Sequence, residues 1–586
     1  MKKIVSIFIL IGLLALVVFL LKDDFQKARP TLYYNGDIIT LNEEQDRADA
    51  MLVVNGMIEN IGVQTDIDIS HIDDLQLYDL SGATVMPGFI DVHTHFGLSM
   101  FLKEMYDLSG FRHSSDREVW QYFEEVCQGS ATDDWLVFKS LDPILVPDLQ
   151  PPTIAYLDRI APDNPVLIFS QSLHSYWANS KAFERVGITS AVTNPSDHSY
   201  YERSEDGGFT GLIVEQEALR PFVQKLTEEK LTAAVLTNAS QDVMSEYAHN
   251  GNTTIVSTGL TIDSKKSLLL LEHLSGERST LIGALLSRIG KLPIRQQNPR
   301  HFIYMRHDMA HLMPEQRDTS DAFYNIIGIK HWYDGSPYIG TMYLDEPYAV
   351  SELSVDRLHI SEGSRGEALI DKEALKRFIS DYHRGGWQIA IHTQGDAAIR
   401  EVVDVYEELE GSLDYRRSRH RLEHCLMLQE EELGRLKRLH LTPSFHINHI
   451  LYYGDALYSD LLGEARTDAI LPMQTALQSG VTPTLHADQP MFDSRPLRLI
   501  QTSMERKTKS GQVIGADERI GLLDAIKAVT INAAWQIGME NKIGTLEKGK
   551  YADFIILDRD PFEVPASELA EINCLETFIN GNKVLR

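Results

Sequence analysis

The sequence predicts an α/β fold: a TIM-like (β/α)8 barrel, a composite β-sandwich contributed by both termini, and an N-terminal transmembrane helix. Three observations lead there. An uncharged apolar run opens the chain, short strands punctuated by turn residues occupy its two ends, and eight apolar strands alternate with helical patterns in between.

The first element is the apolar run from Ile4 to Leu21, 18 residues preceded by Met1, Lys2 and Lys3. As a helix it would span about 27 Å, which is membrane length. It ends in Leu20, Leu21, Lys22, Asp23 and Asp24, without the small residues of a cleavage site. That favours an uncleaved membrane anchor over residues 1–22 against the alternative, a chain secreted after signal cleavage. Basic residues before the run and acidic ones after it leave the N-terminus in the cytoplasm and the remainder outside, periplasmic or extracellular. The absence of a Cys just after the run argues against a lipoprotein.

After a polar tether, Lys22 to Pro30, residues 31–85 contain TLYYNGDIITL, MLVVNGMIENIG and LQLYDLSGATVMPG. These read as hairpins, with Asn35-Gly36 and Asn55-Gly56 suited to tight two-residue turns. Residues 540–586 repeat the style, so both ends are expected to build one sandwich. Between them, residues 86–539 are expected to form the barrel. Its candidate strands are Thr84 to His93, Thr253 to Thr258, Phe302 to Arg306, Gly328 to Asp334, Gln388 to Thr393, His420 to Cys425, Leu441 to Phe445 and Thr482 to Asp488. The first interval is too long for one βα unit, so an insertion at about 96–228 is expected to cover the barrel mouth.

With 84 acidic against 55 basic residues the formal charge is −29, which disfavours nucleic acid as a partner because its phosphates need basic contacts. Cys127, Cys425 and Cys574 are too few and too far apart for a disulfide framework or a CxxC metal knuckle.

Polar residues recur at the C-terminal ends of the candidate strands: His93 and His95, Lys330, His392, His424 and Asp488. In a strand, positions i and i+2 share a face, so His93 and His95 can address one cation. His392 and His424 stand 32 positions apart, one βα unit, and His424 and Asp488 stand 64 apart, two units. Imidazoles with a carboxylate suit zinc or another borderline divalent metal, as one ion or two. Such a cation lowers the pKa of bound water to about 7, and Asp488 would accept the water's proton and pass it to a leaving nitrogen. Lys330 cannot ligate as an ammonium, but a lysine carboxylated by carbon dioxide presents two oxygens that can bridge two metals.

These residues and their surroundings resemble the amidohydrolase superfamily, in the YtcJ-like or AepA-like branch (amidohydrolase family 3) that includes an N-substituted formamide deformylase. The likeness rests on MPGFIDVHTHF, LDRIAPDNPVLIF with HSYWANSKAF, GIKHWYDGS, IHTQGDAAI, RLEHC, LHADQP and AVTINAAWQIG followed by GTLEKGKYADFIILDRDP. It implies a metal-dependent hydrolase barrel acting on carbon–nitrogen bonds other than peptide bonds in a small molecule. It also implies that His93, His95, Lys330, His392, His424 and Asp488 hold the metal, with Asp488 as the proton shuttle. SFHINHILYYGD resembles a family stretch that makes His449 a substrate or oxyanion contact. In the insertion, His174 and Asn179 match a family His and Asn that would close the pocket from above. One departure is Ala487, where many relatives carry Ser. An esterase or lactonase on the same site, and a silent metal-binding or ligand-sensing protein, are the alternatives; homo-oligomerisation stays open.

Overall fold

A computed structural model describes residues 28–586 apart from short stretches at 45–46, 147, 198, 231–232, 261–263, 278–280, 294, 319–320 and 585–586. The expected anchor at residues 1–22 lies outside the described residues. Among those described, no helix is long and apolar enough to cross a membrane.

Eight parallel strands form the central sheet: β1 (Phe89–Thr94), β2 (Asn252–Leu260), β3 (Arg300–Arg306), β4 (Tyr324–Trp332), β5 (Gln388–Thr393), β6 (Arg421–His424), β7 (Thr442–Phe445) and β8 (Thr484–Leu485). Each pairs with its sequence neighbour. Helices cover the outer face and side chains fill the inner one, so these strands are buried on both faces whatever their polarity; all nine residues of β2, NTTIVSTGL, are buried. The ring closes next to the candidate site. Asp488 N donates to His93 O (3.1 Å) and His95 N to Gln489 O (2.7 Å), joining the end of β1 to the segment after β8.

Two expected strands are shorter than their apolar patterns suggest. Thr84 to His93 is two strands: Thr84–Pro87 pairs with Phe554–Leu557 outside the barrel, and the chain enters β1 only after Gly88. A Cβ at Gly88 would collide with the Thr253 side chain, so this crossing needs glycine. The last strand keeps only Thr484–Leu485 of Thr482 to Asp488: His486 N still donates to Phe445 O (3.1 Å), and beyond it the backbone turns left-handed at Asp488 (φ 60°).

Outside the barrel, a four-stranded and a six-stranded sheet share a core of Tyr33, Met51, Val53, Val85, Phe554 and Phe578. The six-stranded sheet combines segments from residues 37–87 with segments from residues 554–583. Asn55-Gly56 makes the expected tight turn, both residues having positive φ, between Ala50–Val54 and Met57–Gly62. Asn35-Gly36 does not close a hairpin: Thr31–Tyr34 belongs to the four-stranded sheet and Asp37–Ile39 to the six-stranded one, so the turn carries the chain between sheets. Arg300, at the start of β3, forms a buried ion pair with Asp553 (2.6 Å) and ties this body to the barrel.

Between β1 and β2 stands a further six-stranded sheet running from Tyr106–Asp107 to Phe209–Val214. It reaches the loops at the C-terminal ends of the barrel strands. Tyr453, after β7, donates to Asp142 Oδ2 (2.6 Å), Gln171 donates to Met491 O, and Phe111 packs on Tyr452 and Phe492.

Candidate metal centre

His93 is the last inward-facing residue of β1 and is fully buried; His95, one residue beyond the strand, precedes the helix Phe96–Lys103. Their rings lie 5.3 Å apart, centre to centre. Asp488 sits between them, with Oδ1 3.4 Å from His93 Nε2 and 3.0 Å from His95 Nε2. Its other oxygen, Oδ2, lies 3.9 Å from His424 Nδ1. His424, at the end of β6, is 4.8 Å from His93 and 4.5 Å from His392 of β5 between ring centres. The structure therefore brings together His93, His95, His392, His424 and Asp488. Lys330 is fully buried on the neighbouring β4, level with Ala390 of β5.

Outer groups fix the orientation of the imidazoles. His93 Nδ1 donates to Glu423 Oε2 (2.6 Å), and His392 Nδ1 to Asp334 Oδ1 (3.0 Å). Because a carboxylate only accepts, both rings carry their proton on Nδ1 and present the Nε2 lone pair inward. Glu423 is held by the buried Arg421 (2.7 Å), and Asp334 accepts from the backbone N–H groups of Gln394 and Gly395. His424 differs. Its Nδ1 meets His486 Nε2 at 3.2 Å, and His486 Nδ1 continues to Ser444 Oγ at 2.8 Å.

Electrostatics follow from burial. Desolvation pushes the pKa of His93 and of His424 well below the ordinary imidazole value, with Lys330 and His392 respectively adding to it, so both rings are neutral donors. Burial alone would raise Asp488, but His95 and the surrounding imidazoles outweigh it and hold its carboxyl well below the usual carboxylate range. Burial brings Lys330 down to about 8 against the pull of Glu423 and Asp488. His424 (φ 70°) and Asp488 (φ 60°) both have left-handed backbones, which costs about 1–3 kcal/mol each for non-glycine residues. Strain of this kind marks positions fixed by their surroundings.

These residues fit a divalent cation. His93 Nε2 and Lys330 Nζ are buried without a hydrogen-bond partner among the described residues, and the ligand atoms of His93, His424 and Asp488 lie within 4.8 Å of one another. Nitrogen with a carboxylate oxygen is a borderline donor set. Replacing Glu423 by Gln is expected to weaken cation affinity about 10–100-fold, the usual cost of losing a ligand's outer partner. Competition against a fluorescent chelator measures it; thermal unfolding should be followed alongside, because Arg421 loses its buried counter-ion.

The remaining candidates separate. His449 is buried after β7; its Nδ1 faces the Tyr338 hydroxyl and its Nε2 has no partner among the described residues. His174, in the insertion, pairs with Glu215 (2.9 Å) and is 26% exposed. Asn179 has no group left for a ligand. Its Oδ1 accepts from Val166 N and Ala182 N, capping the helix Ser180–Arg185, and its Nδ2 donates to Ala161 O and Asn164 O. Here Asn179 is a structural cap rather than a substrate contact. Sequence reasoning missed His446 and His486, which with His424 form a second buried cluster of potential ligands within 4.8 Å. His446 Nδ1 lies 3.8 Å from Asp488 Oδ2. The signal was available, since His486 precedes Asp488 by two positions, the same spacing as His93 and His95.

Comparison with known proteins identifies the family and the fold. A profile of the amidohydrolase family matches residues 76–585. An N-substituted formamide deformylase of Arthrobacter pascens is 26% identical over 569 residues, covering 94% of this chain and 98% of that protein. YtcJ of Bacillus subtilis (strain 168) is 25% identical over 566 residues, covering 94% and 99%. Among solved structures, an uncharacterized metal-dependent hydrolase from Pyrococcus horikoshii OT3 superposes with a TM-score of 0.69 at 22% identity, covering 92% of this chain and 99% of that one, which shows a shared fold.

Proposed function

The chain belongs to the amidohydrolase family, in its YtcJ-like branch, and from that premise we propose that it hydrolyses a non-peptide carbon–nitrogen bond of a small molecule with one or two divalent cations, zinc first among them. The observation that carries this reading is Asp488, an ionised carboxylate placed between His93, whose inward Nε2 has no hydrogen-bond partner among the described residues, and His95. A cation held by His93, His95, His392, His424 and Asp488 would supply Lewis acidity, lowering the pKa of water to about 7 and polarising a carbonyl.

The protein's own groups do the rest. Asp488 accepts the proton released as water attacks the carbonyl carbon, and delivers it to the nitrogen as the C–N bond breaks. Tyr338, whose hydroxyl stays protonated because burial raises its pKa well above the ordinary value, donates to His449 Nδ1. The His449 proton then resides on Nε2, free to donate to the developing oxyanion. Lys330, buried without a hydrogen-bond partner among the described residues, would take up carbon dioxide as its neutral amine to give a carbamate and one proton, and the carbamate oxygens would then be donors to a cation. We place the catalytic body outside the cytoplasm, tethered by the apolar run Ile4 to Leu21.

The formamide deformylase likeness selects the first substrates. Metal-loaded protein offered N-substituted formamides, other small amides and lactones is expected to release amine and acid in equal amounts from members of the first two groups, and to lose this on chelation. Turnover confined to lactones, or none in metal-replete protein, overturns the proposal.

A further inference from the structure

We propose that the helical hairpin between β2 and β3 is a bilayer-contact surface that rests the base of the barrel on an anionic lipid membrane. This builds on the anchoring role given to Ile4–Leu21 and is independent of the catalytic reading. The hairpin comprises the helices Lys265–Ser275 and Leu281–Arg288, which pack on each other. On the second helix and just after it, Ile282, Leu285 and Ile289 are 60%, 47% and 59% exposed, while Ala284 and Ser287 are buried. Steps of three and four residues put the exposed three on one stripe. Leu269, exposed on the first helix, adds to the apolar surface.

The surrounding charge is opposite to that of the protein. From Lys265 to Lys291 there are five basic and two acidic residues, in a chain of net charge −29. Lys265, Lys266, Arg288 and Lys291 are all exposed. An apolar stripe bordered by cations is the composition of a helix lying in the interface of an anionic bilayer. The same charge opposes a second copy, which would bring like charges together.

Position supplies the second argument. The described chain starts at Ala28, packed beside Gly581. Asn580 N donates to Asp553, which pairs with Arg300 at the start of β3; Arg300 donates to Ala322 O, and Asp321 accepts from Glu277 N at the turn of the hairpin. The chain start and the hairpin turn therefore share the N-terminal end of the barrel strands, opposite the candidate metal centre. The six residues Lys22–Lys27 link the apolar run to Ala28 and reach about 20 Å at full extension. A membrane holding that run lies against the base of the barrel, with the mouth facing away.

The test uses the full chain in nanodiscs of phosphatidylcholine with phosphatidylglycerol. Nitroxide is attached at L285C, at I289C, or, on the mouth side, at V350C; the three native cysteines are buried, so labelling is selective. Labels at the two hairpin positions are expected to collide with oxygen in preference to a water-soluble nickel chelate, and the label at V350C to do the reverse. Chelate-accessible labels at both hairpin positions in disc-bound protein overturn the proposal while leaving the anchor intact. Label–label broadening that disappears on dilution with unlabelled chain overturns it in favour of a second copy. A chain that elutes apart from the discs removes both the anchor and this surface.

Discussion

Asp488→Asn is expected to lower kcat by about 10²–10⁴-fold, the range that a positioned acid–base group contributes. The Asn side chain keeps the size of Asp488 and one oxygen within reach of the imidazoles. It loses the charge that His95 Nε2 meets at 3.0 Å, and with it the capacity to take the water's proton. Two readouts separate the roles of this side chain. If the variant retains its metal and turnover falls with little change in KM, the loss belongs to proton transfer. If metal is lost in parallel, the loss belongs to ligation. Full turnover with metal bound removes Asp488 from the reaction. Burial opposes ionisation here, and the neighbouring imidazoles overcome it, so the carboxylate is in its accepting form throughout the neutral range.

The candidate ligand positions that the structure brings together were legible because strand geometry is periodic and barrel strands recur at regular intervals. His93, His392 and His424 each stand at or next to the C-terminal end of a strand, and a side chain there opens onto the barrel mouth whatever the loops do. The groups that orient these ligands were not legible. Glu423 sits between Leu422 and His424 in RLEHC and reads as an ordinary charged residue until the fold buries it beside Arg421 and under His93 Nδ1, a partner 330 positions away. Tyr338 meets His449 across 111 positions. Such pairs depend on long-range register, which periodicity does not carry. The turn dipeptides show the same limit in the fold. Asn35-Gly36 and Asn55-Gly56 have identical local chemistry, yet only the second joins paired strands, because the first is pulled into a different sheet by Thr84–Pro87. Asn179 illustrates the converse: a motif match located the residue, and its four backbone hydrogen bonds then showed what it does.

Lys330→Ala is expected to cost the protein at least one of its bound cations, and with it most of its turnover. Lys330 Nζ is enclosed near the end of β4 with no hydrogen-bond acceptor among the described residues, and the strand beside it, β5, carries His392 two positions beyond its register partner Ala390. An ammonium in that position is desolvated and unpaired, which is costly, and it repels any cation nearby. Burial brings its pKa down to about 8 from 10.5, so the neutral amine is populated near physiological pH. Addition of carbon dioxide to that amine forms an N–C bond, releases one proton, and replaces the unfavourable cation with an anion. Two consequences can be measured on one preparation. Protein grown with zinc and bicarbonate should contain about two equivalents of metal by plasma mass spectrometry, falling to one or none in the variant. Short carboxylic acids added to the variant should restore part of the lost metal by occupying the vacated space. A single equivalent that is indifferent to the substitution would leave a mononuclear centre on His93, His95, His392, His424 and Asp488, with Lys330 serving only the packing of β4.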